Sequence, residues 1–357
     1  MSLHSKLALD FPSAPRSASE SAFPPASESA SESASESASE SASESVFGSG
    51  SRPADARGGV LLFGITPPRR SATPEKIKEI AQVTIGRLAG LDLDGLILYD
   101  IDDESDRNPG ERPFPYLPTM DPIEFEPHLG DWDRPVIIYR CVGKYAEDEL
   151  RSWLATADTD RVLSVFVGAS SGDKPVRTDL RRAQALRAEV RPELPLGAVV
   201  IPERHARGGE EHLRMLTKQE RGCGFFISQV IYDAGETKDL VSDYFYACRS
   251  RGVPPRPVIF TLSLCGSAKT LTFLEWLGVD IPRWLENMLL HAEDPLAESF
   301  REALAIANDL RTYCERLGMP YGFHVESVSI RKAEIEAAVR LTEELGRLMR
   351  PASREPQ

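Results

Sequence analysis

The stretch from residue 197 to residue 233, GAVVIPERHARGGEEHLRMLTKQERGCGFFISQVIYD, decides the fold. Its two apolar runs, Gly197 to Ile201 and Phe225 to Gln229, predict buried strands. The amphipathic segment Glu210 to Arg221 predicts a helix between them. A strand, a helix and a second strand in this order are typical of parallel pairing. In a barrel built from such units, the polar residues just past the strand ends face one shared mouth.

The same pattern repeats through the chain after Gly58. The eight predicted strands are Val60 to Ile65, Gly95 to Tyr99, Val136 to Cys141, Leu163 to Val167, Gly197 to Ile201, Phe225 to Gln229, Val258 to Leu262 and Gly322 to Val325. The eight predicted helices are Pro74 to Leu88, Ala146 to Ala155, Thr178 to Val190, Glu210 to Arg221, Thr237 to Arg251, Ala268 to Leu277, Pro295 to Leu317 and Ile330 to Met349. Eight such pairs over roughly 290 residues predict an α/β fold of the (β/α)8 TIM barrel type. An open doubly wound sheet is the alternative, but no predicted strand is followed by the GxGxxG sequence of its dinucleotide-binding members.

The chain of 357 residues divides into three predicted parts. Residues 1–57 are an N-terminal tail, dominated from Ser17 to Glu44 by a Ser-Ala-Ser-Glu repeat whose lack of large apolar side chains predicts disorder. A transient helix is the alternative for this repeat, because Ala and Glu favour helix. Residues 58–350 are the barrel, and residues 351–357 are a disordered C-terminus.

Composition argues against several classes of protein. The formal net charge of -13 argues against nucleic-acid partners and against binding to anionic membranes. No stretch reaches the roughly 18 uninterrupted apolar residues of a membrane span, and we expect no signal peptide. The five cysteines show no CxxC spacing and no ligand-like pairing with histidine, so we expect no metal site and no disulfide framework. These features predict a cytoplasmic protein.

Polar residues at the predicted strand ends are the candidates for chemistry. They are Thr66, Asp100, Asp102, Tyr139, Ser170, Ser171, Glu203, His205, Gln229, Tyr232, Asp233 and Glu326. Burial of Glu326 at the mouth would raise its pKa and let it act as an acid near neutral pH. The alternative is a salt bridge to Arg331 or to an arginine of the long loop. A buried amide needs partners, so Gln229 is either a structural hydrogen-bonder or a reader of a planar heterocycle.

His205, Lys218 and one long loop each have a functional and a structural interpretation. His205 follows a strand and Glu203 closely, although a surface histidine is the simpler interpretation. Lys218 would hold a phosphate or ribose if its helix faces the mouth, and is otherwise a solvated charge. The long loop from Asp100 to Met120 has the length of a lid or binding loop. We expect one cavity at the mouth to be lined by Glu203, His205, Lys218, Gln229 and Glu326.

Four motifs resemble those of the methylenetetrahydrofolate reductase family, whose members are flavin-dependent (β/α)8 barrels. Phe63-Gly64-Ile65-Thr66-Pro67-Pro68 resembles the family's Phe-Glu-Phe-Phe-Pro-Pro, and Ile201-Pro202-Glu203-Arg204-His205 resembles its Tyr-Pro-Glu-x-His. Lys218 to Gly222, followed by Ile227 to Asp233, resembles Lys-x-x-x-Gly and then Ile-Thr-Gln-x-x-x-Asp. Ile281-Pro282-Arg283-Trp284 resembles Ile-Pro-x-Trp. The resemblance covers about Gly58 to Arg350.

The resemblance implies an activity and a set of contacts. The protein would pass a hydride from NAD(P)H, via FAD, to 5,10-methylenetetrahydrofolate, giving 5-methyltetrahydrofolate in one-carbon metabolism. Gln229 would hydrogen-bond the folate pterin. The partners would be the folate and either a second copy of the chain or another one-carbon enzyme. The expected cofactor contacts are His205, Lys218, Glu211, Tyr139 and Ser170.

The chain departs from the family pattern at one position and in one four-residue segment. Gly64 stands where the family has its acidic Glu, and Val167-Gly168-Ala169-Ser170 stands where the family has Leu-Arg-Gly-Asp beside the flavin. Three hypotheses follow. The protein is a reductase whose acid is Glu326, Glu203 or Asp100. Alternatively, it binds a folate or flavin without catalysis, as a subunit or carrier, or it is a barrel enzyme of other chemistry.

Overall fold

The computed structural model describes residues 3–7, 59–104, 108, 110–169 and 175–350. The Ser-Ala-Ser-Glu repeat and the predicted C-terminal tail lie outside the described residues. So do two predicted site residues, Ser170 and Ser171.

Eight parallel strands close into a barrel. They are β1 Val60–Ile65, β2 Gly95–Leu98, β3 Val136–Cys141, β4 Val162–Val167, β5 Leu196–Val200, β6 Cys223–Val230, β7 Val258–Ser263 and β8 Tyr321–Glu326. Each strand pairs with the next in chain order, and β8 pairs with β1. The predicted (β/α)8 TIM barrel is confirmed, and the open sheet is excluded. Every predicted strand overlaps an observed one, because strands covered on both faces are continuously apolar in sequence.

The described residues also form twelve α-helices. They are α1 Leu3–Leu7, α2 Pro74–Leu88, α3 Pro122–Phe125, α4 Glu147–Thr156, α5 Leu180–Val190, α6 Pro202–Gly208, α7 Glu211–Glu220, α8 Ala234–Ser250, α9 Ala268–Trp276, α10 Arg283–His291, α11 Pro295–Leu317 and α12 Lys332–Leu348. The observed bounds of α2 and α11 equal the predicted ones. The sequence patterns do not predict α1, α3, α6 or α10.

The short helix α6 changes how the site is assembled. Ile201 has an extended backbone and precedes the helix, and Pro202 occupies the first turn, where its missing N–H costs no hydrogen bond. Gly209 ends the helix with a φ of 67°. The segment after β5 is therefore helical and not a polar strand end. Successive side chains point about 100° apart around its axis, so the residues after β5 do not alternate between two faces as those of a strand do.

The barrel interior is filled by alternate residues of the strands, because side chains of a strand point in and out in turn. The inward apolar residues include Val60, Leu62, Ile97, Ile137, Leu163, Val165, Phe225, Ile227 and Ile259. The residues between them pack outward against the helices and form the larger core, which includes Leu61, Phe63, Leu96, Ile138, Phe260 and Phe323. On β8 the inward register belongs to Gly322, His324 and Glu326.

The helix α1 closes the base of the barrel. Leu3 and Leu7 are buried and pack with the inward residues Val60 and Leu62. Lys6 Nζ lies 2.7 Å from Oδ1 of Asp94, the residue just before β2. The prediction that residues 1–57 are entirely tail is therefore wrong for these five residues. Their turn is too short to show a helical period, and the sequence pattern could not reveal it.

Candidate functional site

Four residues with polar or aromatic side chains and one glycine lie together at the carboxyl end of the barrel, and we call this group the mouth cluster. It consists of Gly64, Tyr99, Tyr139, His324 and Glu326. The Tyr99 hydroxyl donates a short hydrogen bond to Glu326 Oε2. The Tyr99 and Tyr139 rings lie 4.9 Å apart between centroids. Glu326, predicted to stand at the mouth, thus has a tyrosine as its partner. Arg331, one of the alternative partners, pairs with Glu334 at 3.2 Å.

The acid in this cluster has a strongly altered proton affinity. Burial raises the pKa of Glu326 to about 7, and the hydrogen bond from Tyr99 opposes this rise only partly. The side chain is still partly open to solvent at the mouth. A carboxyl group that titrates near neutral pH can both donate and accept a proton there.

The buried His324 is neutral and offers an acceptor. Burial lowers its pKa to about 3. Thr261 Oγ1 donates to the Ser228 carbonyl at 2.7 Å and lies 3.2 Å from His324 Nδ1. Because the hydroxyl proton is already used, we assign the imidazole proton to Nδ1. This leaves His324 Nε2 as a buried acceptor without a partner among the described residues.

Gly64 provides the space into which this acceptor faces. A Cβ at position 64 would lie 2.5 Å from His324 Nε2, 3.1 Å from Tyr99 Cε2 and 3.2 Å from Glu326 Cβ. No side chain fits there without displacing the cluster. Tyr99 and Glu326, which come from the strands on either side of β1, border the space that a side chain at position 64 would need.

The candidate acid Asp100 is engaged elsewhere. Its Oδ1 lies 2.5 Å from Lys144 Nζ, and its Oδ2 accepts hydrogen bonds from the Cys141 backbone at 2.8 Å and the Tyr145 hydroxyl at 2.9 Å. The carboxylate is buried. These contacts make Asp100 an anchor for the start of the long loop and occupy both of its oxygens.

The long loop between β2 and α3 crosses the rim of the barrel. Its Thr119 pairs with Arg69, which follows β1, and its Gly110 carbonyl accepts a 2.9 Å hydrogen bond from the Trp276 indole of α9. The Arg112 guanidinium lies 5.3 Å from the Trp276 ring centroid and 5.4 Å from that of Phe273. The described part of the loop thus contacts the segment after β1 and helix α9, and its role as a lid stays a prediction.

Glu203 and His205 lie on α6. His205 faces α8, and Glu203 lines a small pocket together with Tyr232 and Asp233, which follow β6. Burial raises the pKa of Glu203 to about 7, and its neighbours are Asp280 and Glu236. His205 Nε2 lies 3.1 Å from Asp243 Oδ2 of α8. Neither side chain has a recorded contact with the mouth cluster.

Lys218 and Glu211 pair with each other on α7. Lys218 Nζ donates to the Val199 carbonyl at 2.6 Å and lies 3.6 Å from Glu211 Oε1. Burial lowers the pKa of Lys218, although Glu211 opposes this. Arg214 lies 3.4 Å from the other oxygen of Glu211. The ammonium group of Lys218 is thus engaged at the end of β5.

Gln229 lies at the rim with its amide in use. Its Nε2 donates to the Leu277 carbonyl at 3.2 Å, and its Oε1 accepts from the Val230 backbone at 3.2 Å. Of its two predicted interpretations, these contacts are those of the structural hydrogen-bonder. The second amide proton and the second oxygen lone pair remain for a ligand.

The five residues expected in one cavity are therefore divided among separate neighbourhoods. Glu326 belongs to the mouth cluster, Gln229 joins β6 to α9, and Lys218 joins α7 to β5. His205 faces α8, and Glu203 lines the small pocket after β6. None of these contacts joins all five residues, and the single cavity stays a prediction. Because Pro202 starts a helix, the side chains that follow β5 do not alternate as those of a strand do.

The residues expected to hold FAD do not suit its pyrophosphate. His205 borders an open cleft of about 310 Å³, whose lining also includes the carboxylates of Glu236, Asp239 and Asp243. Phosphates are disfavoured beside several carboxylates. The cation Lys218 is already paired with Glu211. FAD binding stays a prediction from the resemblance.

Two members of the mouth cluster, Tyr99 and His324, were not predicted as site residues from the sequence, and neither was Thr261, which contacts His324. Tyr99 was placed at the end of β2 but not considered for chemistry. The sequence of β8 does contain a signal for His324. Gly322, His324 and Glu326 are alternate residues of one strand and share a face, so if Glu326 points into the barrel, His324 does too.

The geometry defines a class of protein, a (β/α)8 barrel with a titratable carboxyl group at its carboxyl-terminal mouth. A solved structure from Clostridium thermocellum, described as an uncharacterized protein that binds two copies of 5-methyl-5,6,7,8-tetrahydrofolic acid, is 44% identical to this chain with a TM-score of 0.73. The match covers 82% of this chain and 97% of that one. The chain belongs to the same family as this Clostridium thermocellum protein.

Other comparisons add little. Xylanase XynB from Paenibacillus barcinonensis is 11% identical with a TM-score of 0.44, over 76% of this chain and 85% of that one. A dihydropteroate synthase from Xanthomonas albilineans is 13% identical with a TM-score of 0.36, over 80% and 90%. Neither carries an argument about function. No protein-family model and no curated protein matches the chain. Among the described residues, no helix combines the length and apolar character needed to cross a bilayer.

Proposed function

We propose that this protein binds a reduced folate of the 5-methyltetrahydrofolate class at the barrel mouth. The observation that carries the proposal is the 44% identity to a protein that binds 5-methyl-5,6,7,8-tetrahydrofolic acid, over 97% of that protein's chain. The first candidate role is binding without catalysis, as a folate carrier or as a subunit of a one-carbon enzyme.

The mouth cluster suits the chemistry of a pterin. A pterin ring presents an amino group and a ring N–H on one edge, and a carboxylate can accept from both. Glu326 supplies that carboxylate. The Tyr99 hydroxyl donates to its Oε2, and this hydrogen bond fixes the orientation of the whole carboxyl group, including Oε1. The neighbouring Tyr99 and Tyr139 rings supply an aromatic wall for a flat ligand.

Titration calorimetry with 5-methyltetrahydrofolate tests the proposal. We expect saturable binding, and we expect Glu326→Gln to raise the Kd by about 10- to 100-fold, the cost of losing a hydrogen bond to a charged group. The matched control is Glu302→Gln on α11, because Glu302 is another partly buried glutamate with a raised pKa but lies outside the barrel. Absence of binding to the wild-type protein would refute the proposal. Equal affinities of the two variants would remove Glu326 from the site.

The second candidate function is reduction of 5,10-methylenetetrahydrofolate, and the pKa of about 7 at Glu326 favours it. Opening the five-membered ring requires a proton on the leaving nitrogen, and a carboxylic acid that is half protonated near pH 7 can supply it. NAD(P)H gives a hydride to the methylene carbon, Glu326 gives a proton to the nitrogen, and NAD(P)+ and 5-methyltetrahydrofolate are the products. Solvent then returns the proton to Glu326.

Anaerobic absorbance measurements separate the two candidates. A reductase would oxidise NADH or NADPH only when 5,10-methylenetetrahydrofolate is present, and Glu326→Gln would lower kcat by at least about 100-fold, the usual scale of general acid catalysis. A binding protein would leave the nicotinamide unchanged while still binding folate in the calorimeter. The visible spectrum of the purified protein tests FAD, since a bound flavin would make it yellow.

A further inference from the structure

Three side chains with metal-ligating atoms meet on the outside of the barrel. His205 is on α6, His212 on α7 and Asp243 on α8, and one ligand atom from each lies within 4.8 Å of the others. The two imidazole rings are perpendicular, with centroids 5.3 Å apart. His205 Nε2 lies 3.1 Å from Asp243 Oδ2. We call this group the outer triad.

Two ring nitrogens of the outer triad lack partners. The His205 side chain is only 6% exposed, yet its Nδ1 has no hydrogen-bond partner among the described residues. His212 Nδ1 is likewise buried and unpartnered. A buried imidazole nitrogen without a partner costs free energy, and a ligand that engages it would recover that cost. Both rings belong to the group whose ligand atoms lie within 4.8 Å of one another.

The surroundings favour a cation over an anion. The adjoining cleft is lined by Glu236 and Asp239 as well as Asp243, and its other lining residues are His205, Ala206 and Ser242. Two imidazoles and a carboxylate are a usual ligand set for zinc, with bonds of about 2.0 to 2.2 Å. The cleft opens to solvent, so water or a neighbouring carboxylate can take the fourth position.

We propose that the outer triad binds one divalent transition-metal ion of the zinc class, with His205, His212 and Asp243 as ligands. The ion would join α6, α7 and α8 and so fix the segment between β5 and β6. The site is independent of the proposed folate site, since no member of the mouth cluster belongs to it. The Cys and His spacing used to predict that no metal binds could not reveal these ligands, because helix packing brings together residues 38 positions apart.

Metal analysis of the full chain tests the proposal. After incubation with Zn²⁺ and exhaustive dialysis, we expect about one zinc per chain and a melting temperature raised by several degrees, because an ion that binds only the folded state stabilises it. Co²⁺ in the same site should give visible absorption bands typical of tetrahedral coordination. Retention of no zinc by the wild-type protein, with the melting temperature unchanged, would overturn the proposal.

Variants locate the ion. His212→Ala and Asp243→Asn should each weaken zinc binding by at least about tenfold and abolish the Co²⁺ bands, while folate binding is unchanged. His291→Ala on α10 is the matched control, because His291 is exposed and bonds only its own helix at the Asn287 carbonyl. Circular dichroism of the metal-free variants checks that they fold. If His291→Ala lowers zinc binding as much as His212→Ala does, the outer triad is not the site.

Discussion

At the scale of single residues, Gly64 shapes the mouth because three neighbours fill the space beside it. We expect Gly64→Ala to lower the free energy of unfolding by about 1–3 kcal/mol, the usual cost of overpacking a core. The control is Gly86→Ala on α2, where an added Cβ meets nothing within 4 Å and should stabilise the helix by about 0.5–1 kcal/mol. Urea unfolding of both variants measures these changes. An unchanged or increased stability of Gly64→Ala would contradict the contacts described at this position.

Glu326 gives the stability of the protein a particular pH dependence. Its pKa is about 7 in the folded protein against 4.5 in its ordinary state. Below the lower value both states are protonated. Between the two values the unfolded state loses its proton while the folded state keeps it, so the free energy of unfolding falls as pH rises. Above the folded pKa there is no further change from this group.

The matching experiment compares the wild-type protein with Glu326→Gln by urea unfolding across this pH range. We expect the difference in stability between the two proteins to change by on the order of 1–3 kcal/mol between pH about 4.5 and about 7. Because Glu203 also has a pKa raised to about 7, Glu203→Gln should remove a second part of the same dependence. A difference that stays constant with pH would show that Glu326 is not titrating as described.

At the scale of elements, we expect the helix α1 to stabilise the barrel although it has only five residues. Leu3 is 1% exposed and Leu7 is 3% exposed, and both contact the base of the barrel. We expect Leu3→Ala and Leu7→Ala each to lower the free energy of unfolding by about 1–3 kcal/mol, somewhat less than in a central core because α1 can detach. Ile330→Ala is the control, because Ile330 is 87% exposed. Equal stability of all three variants would mean that α1 does not hold the base.

The long loop from Asp100 to Met120 is the element that we expect to govern ligand exchange. Arg112 is stacked among Tyr116, Phe273 and Trp276, and such cation–π contacts contribute about 0.5–2 kcal/mol when they are shielded from water. We expect Arg112→Ala to speed folate dissociation by about 2- to 30-fold, measured by stopped-flow fluorescence. The control is Arg316→Ala, because Arg316 makes a comparable contact with Tyr313 on α11, away from the mouth. Dissociation rates that are the same in both variants would refute a gating role.

The elements also show where sequence patterns succeed and fail. Strands such as β3, Val136–Cys141, were predicted with their observed bounds because burial on both faces leaves a continuous apolar run. The helix α6 was missed because its seven residues are too few to show a helical period, and the apolar run before it suggested a strand that simply ends. Pro202 is a helix start signal in the sequence. Had it been used, a helix carrying Glu203 and His205 would have been predicted after β5.

At the scale of the whole molecule, the barrel and the position of Glu326 could be predicted from sequence, whereas the partners of that residue could not. The closure of β8 onto β1 brings together side chains that are 227 residues apart in the Tyr99 and Glu326 pair. No local pattern encodes which residues of distant strands meet. The same limit applies to the outer triad, whose members come from three helices.

The central proposal for the whole molecule is that a reduced folate binds at the mouth of this barrel. A crystal structure of the protein with 5-methyltetrahydrofolate is the decisive test. We expect the pterin beside Tyr99 and Tyr139, with its amino edge within hydrogen-bond distance of the Glu326 carboxyl group. Folate bound only at another surface, with the mouth occupied by solvent alone, would contradict it.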